Sequence, residues 1–162
     1  MNLLASAPGW LAAILLLLML LAALEDAWRM EIADWTSGAV AVLALATVVV
    51  VGPGAGLWQN LLLCTAVLGV GALLFRAGGM GGGDVKLMAA AALWFDMSSG
   101  WKLFVLIAIL GGIETLILLG LRKLPWPEAA RSRHLPLRNG EGIPYGIAIA
   151  TGVALSWWWL RY

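Results

Sequence analysis

The sequence predicts an all-α, polytopic membrane protein with six transmembrane helices, the fourth of them short. Of the 162 residues, 62% are hydrophobic and 12% are charged, which is about half the charged fraction of typical soluble domains. The apolar residues fall in runs long enough to cross a bilayer. Ten Trp residues suit two membrane–water interfaces. The net charge of +1 gives no global basic field, so no nucleic-acid partner is expected.

We predict a single domain over residues 1–162, without an internal repeat. The spans are predicted at about residues 8–24, 35–51, 57–75, 85–95, 101–121 and 143–160, with a polar loop over 122–142. No Lys or Arg precedes Arg29, so the first run lacks the basic start of a secretory signal and is expected to stay in the mature protein. The fourth segment would be roughly 17 Å long as a helix, well short of a hydrocarbon core of ~30 Å. This shortfall predicts a wet pocket near the membrane face that contains Asp84.

The basic residues predict the orientation of these spans. Eight of them lie in the loops after spans one, three and five, and two lie on the opposite side. The eight are Arg29, Arg76, Lys86, Arg122, Lys123, Arg131, Arg133 and Arg138, and the two are Lys102 and Arg161. Loops rich in Lys and Arg stay in the cytoplasm. We therefore expect cytoplasmic basic loops and both termini on the outer side.

Two aspartates are expected at the cytoplasmic face. Asp26 lies in "LEDAWRMEIADW", where the first span ends, and Asp84 lies in "GGMGGGDVK". Two spans separate them, so the chain returns to the same face between the two residues. Close carboxylates share a proton, and the pair can then activate water with one member and polarise a carbonyl group with the other.

The residues around these aspartates suit the same chemistry. Glycines 81–83 would let a peptide backbone approach closely and would adopt positive φ. Asp84 would begin the next helix, whose N–H groups favour a negative charge. Arg29, one turn beyond Asp26, could orient or neutralise that carboxylate. The alternative from spacing alone is a pair of ordinary interfacial carboxylates and a simple glycine turn.

Three motifs, in order, resemble the type IV prepilin peptidase family. "GGGDVKL" is similar to its GxGD signature, "DAWRMEIADW" to its first aspartate motif, and "GIPYGIAIATG" to the Pro-Tyr-Gly opening of its last span. The small size and the lack of paired cysteines resemble the branch that processes Flp-type (tight-adherence) pilins and has no methyltransferase domain. The chain departs from the family at Ala33 and Asp34, where Pro-Asn is usual, so this loop is expected to be built differently.

The resemblance implies an aspartic endopeptidase of the bacterial inner membrane. It would cleave the short basic leader from prepilin or pseudopilin substrates at the cytoplasmic face, without metal or cofactor. Its catalytic pair would be Asp26 and Asp84. The residues expected to support the site are Gly81, Gly82, Gly83, Lys86 and Arg29. The residues expected to line the substrate are Pro144, Tyr145 and Gly146.

Other functions remain open at this point. Glu114 lies in the middle of a predicted span, where an ionisable residue is a functional hypothesis by default. It would be the strongest support for a small transporter or channel with a glycine-broken helix. A non-catalytic pilus-assembly membrane protein is a third possibility. Cys64 is expected to be a core residue and His134 a solvated loop residue. The extra acids Glu25, Glu31 and Asp34 either attract a basic leader or form a solvated interfacial loop.

Overall fold

The computed structural model describes residues 1–125 and 142–161, which form seven α-helices and, within these ranges, no strand. The helices are α1 (Leu3–Ser6), α2 (Gly9–Arg29), α3 (Asp34–Val51), α4 (Leu57–Arg76), α5 (Gly82–Ala92), α6 (Met97–Arg122) and α7 (Tyr145–Arg161). Helices α2 to α7 correspond to the six predicted spans, and α1 is a single additional turn. Most of the predicted polar loop over 122–142 lies outside the described residues, and so does His134.

The lengths of these helices support a helical membrane protein but do not test the count of six crossings. Helices α2, α3, α4 and α6 are long and apolar enough to cross a membrane. Helix α7 is apolar but shorter, and α5 has only 11 residues. Within the described residues the protein is therefore all-helical, with four helices able to cross a membrane and a short fourth segment. The count of six crossings stays a prediction.

The connections between helices end in residues suited to reversing the chain. Met30 adopts a left-handed conformation with φ 57° and donates its N–H to the carbonyl of Asp26 at the end of α2. Gly52 after α3 and Gly78 after α4 have φ values of 90° and 75°, which glycine adopts without the steric penalty of a Cβ atom. Asp96 caps α6 by accepting the N–H of Ser99 at 3.0 Å. The ends of α2 and α4 lead into the two loops that adjoin Asp26 and Asp84.

Helix α5 lies at the centre of the fold and packs against α3, α4 and α7. Most of its residues are buried, and Ala89–Ala92 are small enough to let the neighbouring backbones come close. The helix begins three residues before the predicted start at 85 and ends three residues before the predicted end at 95. Gly82 and Gly83 are therefore the first turn of a helix rather than part of a loop.

The far end of α5 is closed by protein rather than left open at membrane depth. Helix α1 packs there with its Leu4 fully buried, and the N–H of Leu4 donates to the carbonyl of Trp94 at 3.2 Å. The side-chain amide of Asn60 donates to the carbonyls of Met1 and Leu93, both at 2.8 Å. Non-helical backbone at this depth requires such partners, since lipid supplies none. The short fourth helix is thus completed by the N-terminal residues.

The outer surface of the bundle is apolar. Only 11% of the hydrophobic window of α4 and 17% of that of α6 are buried inside the protein. Large side chains such as Val70, Leu73 and Leu116 point outward and are at least 60% exposed. Apolar exposure on this scale is typical of a surface that meets lipid. We therefore expect the exposed faces of α4 and α6 to contact lipid.

Candidate active site

Asp26 projects from the last turn of α2 into the interior of the protein. The residue is only 4% exposed. The Oδ2 atom accepts the backbone N–H of Gly146, the second residue of α7, at 2.6 Å. The first N–H groups of a helix have no partner within the helix and carry a partial positive charge. The start of α7 therefore holds the Asp26 carboxylate, although the two residues are separated by 120 positions in the sequence.

Asp84 lies in the first turn of α5 and is 8% exposed. Burial raises the pKa of its carboxyl group from 3.8 to about 7, and the nearby charges of Asp26 and, more weakly, Glu114 act in the same direction. The backbone N–H of Gly81 opposes this effect by favouring the ionised form. A carboxyl group with this pKa still holds its proton in a large fraction of molecules at neutral pH.

The two aspartates line one cavity of about 240 Å³. Asp26 reaches it from the end of α2, and Asp84 from the start of α5. The other lining residues come from the α2–α3 loop and from the glycine segment, and they are Met30, Glu31, Ile32, Gly81, Gly82 and Gly83. The cavity thus combines two buried, electrostatically interacting carboxyl groups with a wall that carries few side chains.

Glycines 81–83 are required for space and not for unusual backbone angles. The expectation of positive φ is wrong for these three residues, and Gly78 is the glycine of this segment that adopts it. A Cβ atom on Gly81 would lie 2.7 Å from Oδ2 of Asp84. A Cβ atom on Gly83 would lie 3.0 Å from the carbonyl oxygen of Ile32. The missing side chains therefore let Asp84 and the α2–α3 loop meet at the cavity.

A comparison with protein-family models identifies the family of the chain. Residues 13–118, more than half of the chain, match the model of the type IV leader peptidase family. The chain belongs to the type IV leader peptidase family. No curated protein and no solved structure shows significant similarity to it. The matched segment includes Asp26 and Asp84 and ends before α7 begins.

The residues predicted to support the site of this leader peptidase family member are only partly brought together. Gly81, Gly82 and Gly83 line the cavity, but Arg29 is exposed and forms no ion pair with Asp26. Lys86 also points elsewhere and pairs with Asp34 at 2.5 Å. The structure therefore places neither basic side chain in the cavity.

The ion pair between Lys86 and Asp34 is expected to contribute little. Both side chains are largely exposed, at 51% and 77%, and exposed ion pairs typically contribute about 0–1 kcal/mol. We expect Lys86→Ala to change the rate of peptide cleavage by less than about threefold, and to change stability only slightly. A cleavage assay and a thermal melt of the same detergent-solubilised sample would measure both. A loss beyond tenfold would show that Lys86 acts on the substrate or on the aspartates.

The unusual Ala33 in the α2–α3 loop has a structural role that a proline could not fill. Its N–H donates to Oε2 of Glu25 at 3.2 Å, and the hydroxyl group of Thr36 donates to the same oxygen at 2.8 Å. Proline has no N–H to donate. Glu25 therefore ties the start of α3 to the end of α2. Nothing in the spacing of Glu25, Glu31 and Asp34 predicts this role for Glu25.

The three residues expected to line the substrate have different positions. Gly146 contacts Asp26 directly. Tyr145 packs against α6, where its ring lies so close to Gly111 that a Cβ atom there would be 2.7 Å from Cε1. Pro144 is buried and lines a separate groove between α6 and α7.

Within the described part of the chain, no group of three or more His, Cys, Asp or Glu residues is arranged to hold a metal ion.

Proposed function

We propose that this protein is an aspartic endopeptidase that removes the basic leader from prepilin-like proteins at the cytoplasmic face of the bacterial inner membrane. The observation that carries the proposal is the meeting of Asp26 and Asp84 in one cavity, from helices that are distant in the sequence. Membership of the type IV leader peptidase family supports the reaction class. The eight-to-two distribution of basic residues supports a cytoplasmic position for both aspartates.

The environments of the two carboxyl groups suggest different roles. Asp84, with a pKa of about 7, is the member that holds the proton. Asp26 accepts the N–H of Gly146, which suits the ionised member of the pair. Asp26 would take a proton from water as the water oxygen bonds to the scissile carbonyl carbon. Asp84 would give its proton to the carbonyl oxygen. Asp26 would then pass the proton it took from water to the amide nitrogen as the C–N bond breaks. Asp84 would take a proton back from the hydroxyl group as the carbonyl bond re-forms.

Cleavage by the purified protein is the direct test. The protein would be reconstituted in vesicles and incubated with a synthetic peptide that carries a basic leader followed by an apolar segment. Mass spectrometry should show a single cut between the two parts. Intact peptide after prolonged incubation, with protein that is folded and inserted, would overturn the proposal.

The pH dependence of cleavage tests the role of Asp84. Because the pKa of Asp84 is raised to about 7, its carboxyl group loses the catalytic proton as the pH rises through that value. We expect kcat/KM to fall about tenfold per pH unit above pH 7. Initial rates between pH 6 and 9, with the folded fraction checked at each pH, would measure this. A constant or rising rate up to pH 9 would contradict the assignment of Asp84 as the acid.

A further inference from the structure

A groove of about 420 Å³ lies between α6 and α7, beside the catalytic cavity. Its walls are almost entirely apolar, with Leu110, Ile113 and Ile117 on α6 and Ile147 on α7. Helix α6 is one of the helices long enough to cross the membrane, so the groove lies on a surface that meets lipid. The groove is separate from the cavity that contains Asp26 and Asp84, and the proposed hydrolysis does not use it.

Glu114 is an unsatisfied polar side chain in this apolar wall. Both of its carboxyl oxygens are buried, and neither has a hydrogen-bond partner in the described part of the chain. The N–H of Ala148 on α7 faces the carboxyl group but does not reach hydrogen-bond geometry. A buried polar group without a partner is costly, so the position favours any donor that enters the groove.

The groove begins next to the catalytic aspartates. Ala27, which follows Asp26, forms part of its wall, and so does Ala148. Ala148 lies two residues beyond Gly146, whose N–H binds Asp26. At 1.5 Å per residue, Glu114 faces a point about 3 Å further along α7 than the Asp26 contact. A peptide cut at the aspartates would therefore reach Glu114 within its first residues after the cut.

A segment that occupies this groove must be helical. Backbone at membrane depth needs internal hydrogen bonds, and a single segment satisfies them only as an α-helix. Even then, the first four N–H groups of a helix lack partners and carry a partial positive charge. A carboxylate beside that first turn satisfies these donors, as capping residues do in soluble proteins. The groove offers this combination of apolar walls and one carboxyl group.

We propose that the groove between α6 and α7 binds the apolar helix of the substrate that follows the scissile bond, with Glu114 accepting hydrogen bonds from the first turn of that helix. The inference rests on the proposed function and adds a binding site to it. On binding, the Glu114 side chain turns from its buried position toward the groove. Glu114 is then a positioning and specificity residue rather than a catalytic one.

A second apolar groove supplies a matched control. It measures about 340 Å³ and lies between α4, α5 and α6. One of its lining residues is Val85, which follows Asp84 in the sequence. Its walls contain no charged side chain. Thr151 on α7 and Val70 on α4 are exposed lining residues of the first and second grooves, respectively. Phenylalanine at either position fills the corresponding groove from outside the packed core.

The test compares two substrates in vesicles. The long one carries the leader and a full apolar helix, and the short one carries the leader and four residues beyond the cut. For the long substrate, Glu114→Leu and Thr151→Phe should each raise KM about tenfold with kcat nearly unchanged, the size of effect that a lost helix cap produces. Glu114→Gln, which keeps an acceptor oxygen, should restore most of the binding, and Val70→Phe should match the wild type. For the short substrate, all four variants should keep the KM of the wild type.

Several results would overturn the inference. They are an unchanged KM for the long substrate in Glu114→Leu, an equal loss on both substrates, and a larger effect of Val70→Phe than of Thr151→Phe. A fall in kcat with a shifted pH profile would instead assign Glu114 to the proton equilibrium of the aspartates. Failure of the wild type to cut either substrate would refute the proposed function itself. Normal cutting of both substrates by Glu114→Leu and Thr151→Phe would refute only the binding of the substrate helix in the groove.

Discussion

Asp84→Asn and Asp26→Asn are each expected to lower leader cleavage about a thousandfold or more, because an amide can neither give nor take the proton that the reaction moves. Asparagine has nearly the same shape as aspartate, so the cavity should keep its form. The measurement is single-turnover cleavage of a leader peptide by protein in vesicles. Asp84→Asn cleaving at the wild-type rate would refute the aspartic mechanism.

The stability of the Asp84→Asn variant separates lost chemistry from lost folding. Above pH 7 the wild-type Asp84 carboxyl group is charged although it is 8% exposed, and burying that charge is unfavourable. The neutral amide lacks this penalty. The variant should therefore melt at a temperature no lower than that of the wild type at pH 8. Lys86→Ala, two residues further along α5, serves as the active control for insertion and expression.

The position of Asp26 and Asp84 on the same membrane face could be predicted from the number of spans between them. Two crossings return a chain to the same face, so two residues at the ends of the relevant spans share that face whatever the details of packing. The shortness of the fourth segment could also be predicted from the sequence, because the number of residues in a helix determines its length in ångströms. Both features depend on counts along the chain and do not depend on how any helix is rotated about its axis.

The hydrogen bond between Gly146 and Asp26 could not be predicted in the same way. It depends on the rotation and depth of α7 relative to α2, and the helices of this bundle are apolar on most of their faces. Hydrophobic periodicity, which sets rotation in soluble proteins, carries little information in such helices. The partners of Lys86 and Glu25 depend on the same unknown rotations. Lys86 is two residues from Asp84 in the sequence and was expected to support the site, whereas the fold pairs it with Asp34.

The role of the N-terminal helical turn α1 also could not be predicted from the sequence. Residues 1–7 precede the first predicted span, and no role was predicted for them. In the structure, Leu3 and Leu4 are buried, and the N–H of Leu4 donates to the carbonyl of Trp94 just after the end of the short helix α5. A short helix creates unsatisfied backbone groups at its end, and some other part of the chain must cover them. Which part does so is decided by the packing of the whole bundle.

Gly146→Ala is expected to lower kcat/KM about a hundredfold, because the added methyl group would displace Asp26 by an amount that catalytic geometry does not tolerate. The new Cβ atom would lie 2.9 Å from both Cβ and Oδ2 of Asp26, and 3.1 Å from Cδ1 of Ile32. Either α7 moves away and its N–H leaves Asp26, or the carboxylate turns out of position. Such overpacking typically costs about 1–3 kcal/mol of stability as well.

Gly152→Ala is the matched control for this prediction. It adds the same methyl group to α7, where the Cβ atom would lie 2.7 Å from Cγ1 of Ile107 and away from the aspartates. Gly112→Ala adds it to open space. Measured well below the melting temperature of each variant, Gly152→Ala should lose stability but keep nearly full activity, and Gly112→Ala should keep both. If Gly146→Ala cleaved as fast as Gly152→Ala, close contact between the start of α7 and Asp26 would not be needed for the reaction.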